Sequence, residues 1–230
     1  MATVLLVRHG RTTANSAGIL AGRSPGVYLD ELGRGQAERT GARVADVPLV
    51  RVVSSPLERC RETAQAILDP QSPSPELVIE EAITECDYGS WQGRELKELA
   101  DEPLWSTVQS QPSAAAFPDG ESLAAMQARA VAGVRRLDAE IESEHGPGAV
   151  WAAVSHGDII KSVLADALGM HLDLFQRLHV DPASVSIIRY GPHRPDVVCS
   201  NSSAGDLGWL RSTAPGSDAA VGGGSGPGRN

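Results

Sequence analysis

A chain of 230 residues with 29 Asp and Glu against 20 Lys and Arg carries a formal charge of −9. Its 41% hydrophobic content is enough for a core and excludes a disordered chain. The acidic balance argues against non-specific binding to nucleic acid or anionic membranes, and no apolar run approaches the ~20 residues that span a bilayer.

Met1 to Gly10 has no basic segment and too short an apolar run to read as a signal peptide. Cys60, Cys86 and Cys199 are an odd, scattered set, unsuited to a disulfide framework, so a cytoplasmic location is expected. They make no metal-ligand spacing with the six histidines, and neither metal nor cofactor is expected.

Thr3-Val4-Leu5-Leu6-Val7 is the kind of continuous apolar run that forms a strand buried on both faces. It leads into Arg8-His9-Gly10. Residues 33–45 and 56–68 read as amphipathic helices, and between them Val47 to Val53 is a second strand run, ending at Ser54-Ser55-Pro56. Residues 69–76 and 109–121 read as surface loops, the second as a lid or specificity element. Leu123, Met126, Ala130, Val134, Leu137 and Ile141 form one stripe of a helix over 122–144, with Ser122 as N-cap and Gly146-Pro147 at its exit. A third strand run, Ala149 to Val154, leads into Ser155-His156-Gly157, and a helix is expected from Asp158 to Leu168. Further strand runs fall at 184–190 and 196–200.

Strands alternating with helices predict an α/β fold: a three-layer α/β/α sandwich whose central sheet is mostly parallel, with helices on both faces. Residues 1–210 read as one domain, and 211–230, built of Gly, Pro, Ser and Ala, as a disordered tail without a part in the chemistry.

In parallel α/β sheets the ligand crevice lies outside the carboxyl ends of the strands. His9 and His156 each stand between a strand run and a glycine-led turn, which makes them candidates for one site. Gly10 and Gly157 are either ordinary turn residues or places where backbone N–H groups approach an anion. Eighteen of the 20 basic residues are Arg; only Lys97 and Lys161 are Lys. Arg forks onto phosphate or carboxylate in two parallel bonds, but a compositional bias accounts for the number, so position must carry any functional claim.

Residue by residue, the pattern resembles the histidine phosphatase superfamily in its phosphoglycerate-mutase-like branch. Leu6-Val7-Arg8-His9-Gly10-Arg11-Thr12-Thr13-Ala14-Asn15 is similar to that family's first signature. Ala21-Gly22-Arg23 falls at its next substrate contact, and Leu32 to Ala37 resembles the start of its first helix. Ser54 to Ala64 resembles the segment with a second phosphate-binding Arg, Arg59 rather than the neighbouring Arg61. Glu85-Cys86-Asp87-Tyr88-Gly89-Ser90-Trp91-Gln92-Gly93 resembles the segment that carries the acid; its spacing selects Glu85 over Glu80, Glu81, Asp87 and Glu121. Phe117 to Ser122 and Ser155-His156-Gly157 complete the set in family order, so the resemblance covers roughly 3–200.

The resemblance implies that His9 is the nucleophile and forms a phosphohistidine. Arg8, Arg59 and His156 would surround the phosphoryl oxygens, with Asn15 and the backbone at Gly157 adding neutral donors and Arg23 as an additional cation. Ala21, Gly22 and Tyr88 would contact substrate, although Tyr88 is equally readable as core and Trp91 reads as packing. Glu85 would protonate the leaving oxygen, for which burial must raise its pKa. His156 would serve best as imidazolium, a form that a bound phosphate dianion favours.

Three departures favour a phosphatase over a mutase. Arg11 and Asp158 stand where the mutases usually carry Glu or Gln and Asn. The stretch 94–121 offers only Arg94 and Lys97 in place of an adjacent Arg pair that grips the substrate carboxylate. A phosphomonoester hydrolase acting on a small phosphorylated metabolite is therefore expected. The alternatives are a phosphoglycerate mutase-type phosphomutase and a non-catalytic phospho-ligand binder; the complete set of His9, Arg8, Arg59, Glu85 and His156 speaks against the second. Homodimerisation is left open.

Overall fold

The computed structural model describes residues 2–203, Gly222 and Gly224. Its elements run β1 (Thr3–Arg8), α1 (Thr13–Ala17), α2 (Glu31–Val44), β2 (Leu49–Ser54), α3 (Glu58–Leu68), β3 (Glu76–Ile79), α4 (Leu96–Leu99), α5 (Trp105–Ser110), α6 (Leu123–His145), β4 (Val150–Ser155), α7 (Gly157–Ala167), β5 (Val185–Tyr190) and β6 (Pro195–Ser202). Short 3₁₀ turns fill several connections. The strands form one six-stranded sheet in the order β3-β2-β4-β1-β5-β6. β3, β2, β4 and β1 pair in parallel; β5 is antiparallel to β1, and β6 to β5. The sheet is thus mostly parallel, as expected.

Period-two alternation along the strands separates two cores. Val4 and Leu6 of β1, with Trp151 and Ala153 of β4, meet Leu123, Met126, Ala130 and Val134 of α6 and Ile160, Val163 and Leu164 of α7. Leu5 and Val7, with Ala152 and Val154, meet Val44 of α2 and Cys60, Ala64 and Ile67 of α3. These two apolar layers make the three-layer sandwich. Ser122 caps α6 through the Ala125 N–H at 3.1 Å, and Asp30 caps α2 through the Gly33 N–H at 2.7 Å.

β3 was not anticipated. It pairs with β2 at the sheet edge, and Leu77 and Ile79 are exposed on it. The stretch 109–121 is not a free loop either: Ala115 and Phe117 are buried in the larger core, and Phe117 packs edge-on to Tyr88 at 5.0 Å between ring centroids. Trp91 is buried in the same cluster, in keeping with its packing role. The expected tail 211–230 lies outside the described residues, apart from Gly222 and Gly224.

Candidate active site

The sheet register builds the site. β1 and β4 are neighbours with Arg8 opposite Ser155, so the next residue on each strand, His9 and His156, must lie side by side. Their ring centroids are 5.3 Å apart, edge to face. Ser54 of β2 is opposite Val154, which brings Ser55 alongside; its Oγ lies 2.7 Å from His156 Nε2. Arg59, in the first turn of α3, reaches into the same space. Its Nε donates to His9 Nε2 at 3.3 Å, and its Nη2 to the Gly22 carbonyl at 2.7 Å and to His156 Nδ1 at 3.2 Å. Its Nη1 is buried with no hydrogen-bond partner among the described residues, a donor that a bound anion could satisfy.

The histidine tautomers follow from their partners. His9 Nδ1 is 2.7 Å from the Gly10 carbonyl, which can only accept, so the proton sits on Nδ1 and the lone pair on Nε2. Gly10 in turn donates its N–H to Thr63 Oγ1 at 3.1 Å. A side chain at Gly10 is impossible, since a Cβ there would stand 2.4 Å from the Gly33 carbonyl oxygen. Burial, then the charges of Arg59 and Arg8, hold the His9 pKa well below its ordinary value, which keeps the ring neutral. His156 accepts from Arg59 at Nδ1, so its Nε2 carries the proton and donates to Ser55. Burial, Arg59 and His9 depress its pKa too. The free site therefore holds neutral His156; the imidazolium expected for it requires the arrival of an anion.

Arg8 is 1% exposed and donates Nη1 to the Val180 carbonyl at 2.8 Å. Burial pulls its pKa down to about 10, which still leaves a cation at neutral pH. Arg8 and His156 are not among the side chains lining the cleft.

Glu85 is buried. Its Oε1 accepts the Cys86 N–H at 3.0 Å, and its Oε2 is 3.9 Å from His156 Nδ1. Burial, then the neighbouring Asp158 carboxylate, raise its pKa to about 7, the range a general acid needs at neutral pH. Two arginines hold the segment in place from behind. Arg129 of α6 donates to the carbonyls of Ala82, Thr84 and Glu85 at 2.9, 2.8 and 3.0 Å and pairs with Glu121. Arg23 donates Nε to the Glu85 carbonyl at 2.8 Å and Nη2 to Glu121 at 3.0 Å. Arg23 thus does not join the anion pocket as expected; its donors are committed to the acid's support. Arg129 was not singled out in the sequence, because the carbonyls it holds lie 44 to 47 residues away and no local pattern marks it.

The cleft is lined by His9, Asn15, Ala21, Gly22, Arg59, Glu85 and Tyr88, together with Leu20 and Leu96. Asn15 lies on α1, where its Oδ1 accepts from the Thr12 N–H at 3.1 Å and Oγ1 at 2.9 Å, fixing the turn after the His9 strand. Gly157 opens α7 directly after His156 and is buried. Tyr88 is buried, as the core reading has it, with its ring on Phe117 and its hydroxyl donating to Asp158 Oδ2 at 2.8 Å. Gly222 and Gly224 also line the cleft, and the Gly222 N–H donates to the same Asp158 oxygen at 3.0 Å. These two residues of the carboxyl-terminal stretch border the cleft, a position not expected of them.

The sequence and the fold have counterparts among known proteins. The family model for the histidine phosphatase superfamily (branch 1) matches residues 4–203. A "probable phosphoglycerate mutase" of Erwinia tasmaniensis is 31% identical over 219 residues, covering 93% of this chain and 97% of that protein. The adenosylcobalamin/alpha-ribazole phosphatase of Salmonella typhimurium is 33% identical over 170 residues, covering 72% and 79%. Among solved structures, the alpha-ribazole phosphatase of Shigella flexneri superposes with a TM-score of 0.75 at 26% identity, covering 87% of this chain and 96% of that one. With the paired histidines, the buried acid and the family match spanning nearly all of the described fold, the chain belongs to the histidine phosphatase superfamily.

Proposed function

We propose that this phosphatase hydrolyses a small phosphomonoester through a phosphohistidine on His9. One observation carries the reading: Arg59 donates Nε to the unprotonated Nε2 of His9 and keeps a buried Nη1 without a hydrogen-bond partner among the described residues. A nucleophile and an anion-binding group therefore share one pocket before any ligand arrives. His9 Nε2 attacks phosphorus, the ester P–O bond breaks, and Glu85 gives its proton to the departing alkoxide. A water then attacks the phosphohistidine, Glu85 takes that water's proton, the P–N bond breaks and inorganic phosphate leaves. Arg59 and Arg8 stabilise the charge on the equatorial oxygens throughout. Phosphate binding draws His156 toward its charged form, which adds a cation when it is needed.

Hydrolysis is favoured over phosphoglycerate mutation by the cations near the cleft. Arg94 pairs with Glu102 at 2.6 Å and Lys97 with Glu95 at 2.6 Å, and neither lines the cleft. Arg11, at a position where the family's mutases differ, is taken by Asp30 at 2.7 Å. This leaves no bidentate clamp on a substrate carboxylate among the described residues. The free thiols of Cys60, Cys86 and Cys199 are in keeping with a reducing compartment.

The test is a His9→Ala variant assayed on p-nitrophenyl phosphate and a metabolite panel, with acid quench of the wild-type protein. Loss of turnover in the variant and an acid-labile, base-stable phosphate on His9 of the wild type are expected. Undiminished turnover in His9→Ala rejects the assignment. Conversion of 3-phosphoglycerate to 2-phosphoglycerate, primed with 2,3-bisphosphoglycerate and faster than phosphate release, would replace hydrolysis by mutation.

A further inference from the structure

We propose that Ile19, Leu20 and Leu96 form an apolar wall for the leaving group, so that the substrate is a phosphomonoester of an uncharged, predominantly hydrocarbon alcohol or phenol with no second anionic group. This specificity rests on the phosphomonoesterase reading and names its substrate class.

Ile19, Leu20 and Leu96 line the cleft with His9, Arg59 and Glu85. Two segments far apart in sequence bring them together. Ile19 bridges Glu95 in antiparallel fashion, the Leu20 N–H donates to the Arg94 carbonyl at 2.9 Å, and the Leu96 N–H donates to the Gly18 carbonyl at 2.8 Å. The Gly93 N–H completes this short ladder on the Leu20 carbonyl at 2.7 Å. Leu20 is buried in the larger core and Leu96 packs against it. Ile19 and Leu96 are only half-buried, so part of their hydrocarbon surface stays open. From Leu20 the chain runs through Ala21 to Gly22, whose carbonyl accepts from Arg59 Nη2 at 2.7 Å. The wall thus continues directly into the phosphoryl end of the cleft.

Little in this wall can serve a polar leaving group, because its backbone is already paired. The N–H groups of Gly18, Ile19 and Leu20 donate to the carbonyls of Asn15, Ala14 and Arg94, and the carbonyls of Gly18, Leu20, Ala21 and Gly22 accept from within the fold. The hydroxyls of the lining are committed as well: Thr12 Oγ1 donates to Asn15 Oδ1 at 2.9 Å, and Tyr88 to Asp158 Oδ2 at 2.8 Å. With His9 neutral, Arg59 is the sole cation among the lining residues, and the phosphoryl group claims it. The nearby Arg23, Arg94 and Lys97 are paired with Glu121, Glu102 and Glu95. A second phosphate or a carboxylate would lose its water against Ile19 and Leu96 with no cation to meet it. A hydroxyl-rich alcohol would leave polar groups unpaired there. A hydrocarbon leaves water for a surface of its own kind.

Ethyl, n-butyl and n-hexyl phosphate test the wall, because their leaving alcohols have nearly the same acidity and differ in hydrocarbon alone. The wild-type kcat/KM is expected to rise about two- to fourfold for each methylene that fits the cleft. It is also expected to favour n-butyl phosphate over 3-phosphoglycerate by about tenfold or more. Leu96→Gln is expected to reduce the rise per methylene. Ile19→Thr, a smaller change on the other segment, serves should that variant fail to fold. A flat or falling series in the wild type, a preference for 3-phosphoglycerate, or a slope untouched in both variants overturns the wall, while turnover of p-nitrophenyl phosphate leaves hydrolysis standing. Absence of wild-type turnover on every one of these esters would instead reject the phosphomonoesterase reading, and the wall's substrate role with it.

Discussion

Arg59 Nε donates to His9 Nε2 at 3.3 Å, so the nucleophilic lone pair is held by the very guanidinium that would bind the phosphoryl oxygens. The contact keeps His9 neutral and oriented, and a phosphoryl oxygen can take it over as the Nε2–P bond forms. Arg59 engages three directions at once, with Nε on His9, Nη2 on Gly22 and His156, and Nη1 unpaired. Arg59→Lys keeps the charge and loses this geometry. A fall in kcat/KM of about 10²–10³-fold is expected, the scale of losing one preorganised donor, and steady-state kinetics on p-nitrophenyl phosphate read it. Near-wild-type kinetics would show that charge alone suffices.

The raised pKa of Glu85, about 7, gives the reaction a basic limb. Glu85 is protonated below that value and can donate; above it the acid is spent. The kcat for an alkyl phosphate is therefore expected to fall as pH rises through about 7. With p-nitrophenyl phosphate, whose phenolate departs without a proton, this limb should flatten. Glu85→Gln should cost about 10²–10⁴-fold on the alkyl ester and far less on the aryl ester. The same shift acts on stability. Between the ordinary 4.5 and about 7 the folded protein keeps a proton that the unfolded chain has lost, so this group's contribution to stability falls as pH rises through that window. Chemical denaturation of wild type and Glu85→Gln across the window reads that difference, which should be missing from the variant.

Much of this site was legible in the sequence because its residues extend the most regular elements. β1 and β4 are apolar runs buried on both faces, and the residues just beyond them must meet once the strands pair. What was not legible depends on contacts that leave no local trace. β3 is a four-residue edge strand with three of its residues exposed, so neither length nor hydrophobic alternation announces it. Arg23 sits beside the Ala21-Gly22 lining of the cleft, yet its side chain turns away to the Glu85 carbonyl, a direction that spacing does not encode. Gly222 enters the cleft through its N–H alone, and a backbone amide has no signature in a run of glycines.

Arg129 should behave as a positioning residue. Arg129→Met would strip donors from three carbonyls and leave Glu121 without its closest cation. Stability should fall on the order of 1–3 kcal/mol, the cost of buried acceptors left unpaired. Because the displaced segment carries the acid, kcat for an alkyl phosphate should drop more than KM rises. The loss should again be smaller with p-nitrophenyl phosphate, an asymmetry that general destabilisation would not produce.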